Sequence, residues 1–90
     1  MGPLARLRFR RLAVNSLLKK GYSRRQALNV VEEMYDEDVD EVVRSVAVKH
    51  GKADIVATEF GDGAILEKIL AFLSEHWDEI FALLLKLIGL

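Results

Sequence analysis

The chain offers two histidines, His50 and His76, and no cysteine. General-base chemistry near neutral pH therefore rests on two side chains, and thiolate nucleophiles, disulfides and cysteine–metal sites are excluded. The hydroxyl nucleophiles are Ser16, Ser23, Ser45, Ser74 and Thr58. None lies in a nucleophile elbow, and neither histidine belongs to an HExxH zinc helix. Ser23 reads as a helix cap, His50 as a helix-terminal residue and His76 as a side chain on the apolar half of a helix. The expectation is a protein that is not an enzyme, with no catalytic residue, no metal, no cofactor and no small-molecule substrate.

Two further patterns start a known chemistry and fail to complete it. Asp36, Asp38 and Asp40 carry the one-three-five spacing that opens a calcium loop. Glu41 then stands where the loop needs glycine, and Ala47 where it needs a bidentate glutamate. This stretch reads instead as a solvated loop and helix cap. Gly61 and Gly63 begin a GxG, but Leu66 occupies the third glycine position and no strand precedes it, so a phosphate cradle is not expected.

Charge is segregated although the net charge is only −1. From Met1 to Arg25 the chain carries Arg6, Arg8, Arg10, Arg11, Lys19, Lys20, Arg24 and Arg25 without one acid. From Glu32 to Glu41 it carries Glu32, Glu33, Asp36, Glu37, Asp38, Asp40 and Glu41 without one base. Arg6, Arg8, Arg10 and Arg11, with Phe9 among them, are the candidate contacts to nucleic acid, whose binding would weaken steeply with salt. Such blocks can equally serve each other, within one chain or between copies.

Four helices must position these groups. The first is expected from about Pro3 to Lys20, with Pro3 in the first turn and Gly21 as the stop. The alternation in Leu7-Arg8-Phe9-Arg10 leaves an extended arm open for residues 4–11. Ser23 and Gln26 form a capping box that starts the second helix. The third is expected from Asp38, with Glu41 as its reciprocal partner, to Gly51. Val39, Val42, Val43, Val46, Ala47 and His50 form its inner face. Residues 52–62 form a connector, with a short helical turn near Ile55 and Val56 and with Asp62 capping the fourth helix.

That last element, residues 63–90, reads as one long amphipathic helix of about 40 Å. Leu66, Ile69, Leu70, Phe72, Leu73, Trp77, Ile80, Phe81, Leu83, Leu84, Leu87 and Ile88 share one half of its wheel, joined by Ile65, His76 and Leu90. Leu85 is the one large apolar residue on the polar half. Three short helices can cover part of that face, so self-association or docking to a partner protein is expected. Phe72, Trp77, Ile80, Phe81, Leu84, Leu87 and Ile88 are its anchors and Leu85 a second contact. The polar face carries Glu67, Glu75, Asp78 and Glu79 against Lys68 and Lys86, which argues against an anionic membrane surface. No apolar run reaches the roughly 20 residues of a membrane span, and the arginine-studded start does not read as a signal peptide. A cytoplasmic location, or one within a larger assembly such as a virion, is expected.

Leu17-Leu18-Lys19-Lys20-Gly21-Tyr22-Ser23, Ala27-Leu28 and Asp38-Val39-Asp40-Glu41-Val42-Val43 together resemble the ubiquitin-associated (UBA) family of three-helix domains. The resemblance covers residues 12–51. It implies a compact three-helix bundle and, at the loop and the end of helix three, a protein-binding surface made by Gly21, Tyr22, Val46 and Ala47. Lys20 stands where the family has methionine, and Val46-Ala47 where it has a leucine pair. The expected architecture is all-α: a small three-helix bundle within residues 1–51, a connector, and a long amphipathic C-terminal helix, folding as one unit. The expected function is non-enzymatic assembly, with a nucleic-acid-binding structural protein and a ubiquitin-type module as alternatives.

Overall fold

The computed structural model describes residues 2–55 and 63–89, and the side chains of the second stretch from residue 67 onward. Within them the chain is all-helical: α1 (Pro3–Lys19), α2 (Arg24–Glu32), α3 (Asp36–Lys49), a 3-10 turn (Ala53–Ile55), α4 (Gly63–Glu75) and α5 (Trp77–Leu87). The expected cap at Asp62, the turn at Val56 and the side chains of Ile65, Leu66 and Leu90 lie outside the described residues.

Local sequence sets most of the boundaries. Residues 4–11 are helical, with Pro3 in the opening turn where its missing N–H leaves no bond unmade. The capping box forms as read: the Ser23 hydroxyl accepts from Gln26 N at 3.1 Å, and Gln26 Oε1 accepts from Ser23 N at 2.9 Å. α1 and α3 end in the same device. Tyr22 N donates to Leu17 O and Gly21 N to Leu18 O, while Lys52 N donates to Ala47 O and Gly51 N to Val48 O. Both turns need a residue at positive φ, supplied by Gly21 at 103° and Gly51 at 70°. α3 starts two residues earlier than expected. Tyr35 precedes its first turn, and Val39 N closes on Tyr35 O, so Asp38 lies inside the helix and not at its cap. Asp36, Glu37 and Asp38 then occupy the first turn, where carboxylates oppose the positive end of the helix dipole.

The single long helix expected over 63–90 is two helices. His76 interrupts it at φ −112° and ψ 22°. The amide of His76 still reaches Phe72 O, and Ile80 N reaches His76 O, so the rotational phase of the apolar face carries through. Both helices keep their apolar faces on the body of the protein, with Ile69, Phe72 and Leu73 of α4 and Ile80 and Leu84 of α5 fully buried.

One core results. Its large, fully buried members are Leu17 of α1, Val43 and Val46 of α3, Ile69, Phe72 and Leu73 of α4, and Ile80 and Leu84 of α5. No polar side chain is buried among the described residues. The first three helices do not close this core among themselves. α1 packs chiefly on α2 and α4, and α3 chiefly on α5, so the last two helices form part of the centre of the domain. Trp77 joins the two halves. Its ring meets Phe9 edge-on at 5.5 Å and stacks on Phe81 at 5.2 Å, and its indole N–H donates to Ser16 Oγ at 2.7 Å.

Candidate functional site

The residues expected to anchor a partner are placed mostly inside the protein. Phe72, Trp77, Ile80, Phe81 and Leu84 are buried against the chain's own helices, so in this fold they are core and offer no face to a partner. That flank is covered by α1 on the α4 side, by α3 on the α5 side and by the 3-10 turn. Leu85 and Ile88 are half-buried and lean on the same core. Leu87, at 59 % exposure, keeps an outward face, and so does Leu83 beside it.

The UBA-like positions separate in the same way. Gly21 is exposed and Tyr22 is half-buried against the core. Val46 and Ala47 are buried, so they are not available as surface contacts. Val46 lies at the floor of a groove of about 320 Å³ between α3 and α5, walled by Ser45, Lys49, Glu79, Ala82 and Leu83.

The four arginines of α1 are exposed and fall on two faces. Arg6 pairs with Asp36, and Arg6 and Arg10 line a cleft of about 390 Å³ together with Glu32, Asp36 and Asp40. Basic and acidic blocks thus meet within one chain, and a polyanion approaching that side would face carboxylates. Arg8 and Arg11 point the other way. With Leu4 and Leu7 they occupy positions i, i+3, i+4 and i+7, one outward stripe of α1 opposite buried Ala5, Phe9 and Ala13. Leu4 and Leu7 are 59 % and 61 % exposed, a large apolar area to leave in water on a helix that also has a buried face.

A cluster that sequence reasoning did not assemble lies where α3 ends and α5 begins. The Gly51 turn fixes His50 as the cap that follows α3, and His76 stands between α4 and α5. Their rings stack with centroids 4.1 Å apart and planes 26° apart, and His76 also tilts against Phe72 at 4.7 Å. Glu79, in the first turn of α5, completes the group. Its Oε1 is 2.9 Å from His50 Nε2, and its Oε2 accepts from Lys49 Nζ at 2.8 Å. Those two bonds, Lys49's first and His50's second, hold the Glu79 carboxyl down to a pKa of about 2 against a weaker opposing effect of burial. Lys52 pairs with Glu75 at 3.2 Å and sits 5.9 Å over the Phe72 ring. His50 and His76 are 26 residues apart in the chain, and no local spacing marks them as neighbours.

The class that fold and surface define is a small all-α domain with one core, an outward apolar–basic stripe and a histidine–carboxylate cluster. No protein-family model, curated protein or solved structure matches the chain. No described helix is long and apolar enough to cross a membrane.

Proposed function

We propose that the protein is a non-enzymatic interaction module that assembles with further copies of itself, seating the α1 stripe of one copy on the α3–α5 flank of the next. The observation that carries this reading is the stripe Leu4, Leu7, Arg8 and Arg11, all exposed and all opposite the core face of α1. The counterpart in this reading lies on the same chain. Leu83 lines the groove against α3, and Leu87, one turn further along α5, is exposed. Ser45 lines that groove and also a second one with Glu37, Asp40, Glu41, Arg44 and Val48, so the apolar surface runs on into one that carries three carboxylates and one arginine. Leucines meeting leucines would supply area, and Arg8 and Arg11 meeting Glu37 and Glu41 would set orientation.

Two different patches pair reciprocally in a two-fold dimer, or head to tail in a ring or filament, according to the rotation that relates the copies. Sedimentation velocity of the purified chain tests this. The expected result is a mass that rises with protein concentration and falls with added salt. Arg8→Glu with Arg11→Glu should return the chain to a monomer, and adding Glu37→Lys and Glu41→Lys to that variant should restore assembly. A chain that stays monomeric up to about 1 mM, or assembly indifferent to the arginine changes, would overturn the reading. Retention on DNA or on anionic vesicles with no self-association would replace it with the corresponding partner.

A further inference from the structure

The geometry points to a divalent transition-metal site, of the kind that takes Zn²⁺, at the junction of α3, α4 and α5, with His50, His76 and Glu79 as its three protein ligands. One donor atom from each residue can be chosen so that all three lie within 4.8 Å of one another. Around a metal held at ~2.1 Å, neighbouring ligand atoms are ~3.0–3.4 Å apart. The His50 Nε2 to Glu79 Oε1 edge is already 2.9 Å. His50 and His76 are stacked with planes 26° apart, so bringing a ring nitrogen of His76 onto the same centre needs a turn of its ring about the side-chain torsions as well as a shift on the order of 1 Å, because each lone pair lies in its ring plane.

Chemistry selects the ion. Two imidazoles and one carboxylate suit Zn²⁺, Co²⁺ or Ni²⁺, whereas Ca²⁺ and Mg²⁺ prefer shells of oxygen. Three protein ligands leave a fourth position for water. The side chains are 20–33 % exposed, so an ion and its water can enter. A supporting contact is in place: Lys49 Nζ holds Oε2 of Glu79, leaving Oε1 turned toward His50. The backbone fixes the ligand origins as well. Gly51 at φ 70° sets the end of α3 at His50, and the ladder that runs on through His76 keeps that residue and Glu79, three positions later, on one side of the junction. A bound ion would tie the end of α3 to the α4–α5 junction. The Lys49–Glu79 and Lys52–Glu75 pairs place no excess charge there, so binding without a strong electrostatic funnel is expected.

The test uses the full chain, freed of metal with a chelator and titrated with Zn²⁺ by calorimetry and with Co²⁺ by visible absorption. One equivalent per chain is expected, with Co²⁺ bands typical of nitrogen–oxygen coordination at low coordination number. The thermal midpoint should climb with free Zn²⁺. His50→Gln and Glu79→Gln should each weaken Zn²⁺ binding by at least about 10-fold while the chelated variants keep the parental far-ultraviolet circular dichroism. Asp38→Asn with Asp40→Asn, in the acidic stretch of α3, should leave it unchanged. The proposal is overturned by no saturable uptake up to about 1 mM Zn²⁺. It is equally overturned by His50→Gln and Glu79→Gln proteins that fold and bind as the parent does.

Discussion

Ser16→Ala is the substitution that best probes how the two halves of the protein are joined. The Ser16 hydroxyl accepts the indole N–H of Trp77 at 2.7 Å, and Trp77 is only 8 % exposed. Removing the oxygen leaves that N–H buried with no acceptor, at a cost of about 1–3 kcal/mol. Total stability for a domain of this size is roughly 5–13 kcal/mol, so the loss is a sizeable fraction. At about 4–8 °C per kcal/mol, the midpoint should fall by about 8–16 °C for a loss near 2 kcal/mol. Trp77→Phe removes the donor, and in that background Ser16→Ala should cost about 1–2 kcal/mol less, the coupling of a double-mutant cycle. Trp77 is the one tryptophan of the chain, so its fluorescence tracks the site directly in the parent and in Ser16→Ala, with circular dichroism for the rest. Running each melt at two protein concentrations separates this intramolecular bond from any contact between copies. A Ser16→Ala protein within about 0.5 kcal/mol of the parent, or an additive cycle, would refute the placement of Trp77 against α1.

Local geometry sets two further outcomes. Gly21→Ala meets no atom within 4 Å, so its effect should be the backbone strain of φ 103° alone, about 1–2 kcal/mol in urea denaturation. Glu79 is depressed from 4.5 to about 2, so its contribution to stability is complete above pH 4.5 and is lost as pH falls from there toward 2. Glu79→Gln should accordingly narrow the gap between urea midpoints measured at pH 7 and at pH 3, and an unchanged gap would contradict the Lys49 and His50 contacts.

Features encoded within one turn of helix were legible in the sequence. The Ser23–Gln26 box, the glycine stops at Gly21 and Gly51, and the inward phase of Ile69, Phe72, Leu73, Trp77, Ile80, Phe81 and Leu84 all come from spacing alone, because each depends on neighbours three or four residues away. The surface that covers this inward face was not legible. Amphipathicity says that a side must be buried and is silent on whether the burying surface belongs to the same chain. His76 carries no helix-breaking signature such as proline or glycine; tertiary packing, which local propensity does not record, accounts for its departure. The cluster of His50 with His76 and Glu79 depends on the antiparallel run of α5 along α3, so it lay beyond any short motif. Arginine spacing likewise gave a basic segment but did not divide it into Arg6 and Arg10, facing carboxylates, and Arg8 and Arg11, facing outward.

The junction at His76 also fixes how many residues this stretch of the chain can hold. Since the ladder runs on from Phe72 to His76 to Ile80, α5 inherits its angular setting from α4. One added residue would turn everything beyond it by about 100°, carrying Glu79 into the seat of Ile80 and Leu83 into that of Leu84. Amino acids here can be exchanged for others of similar bulk, but their number is locked by the four large side chains that come after.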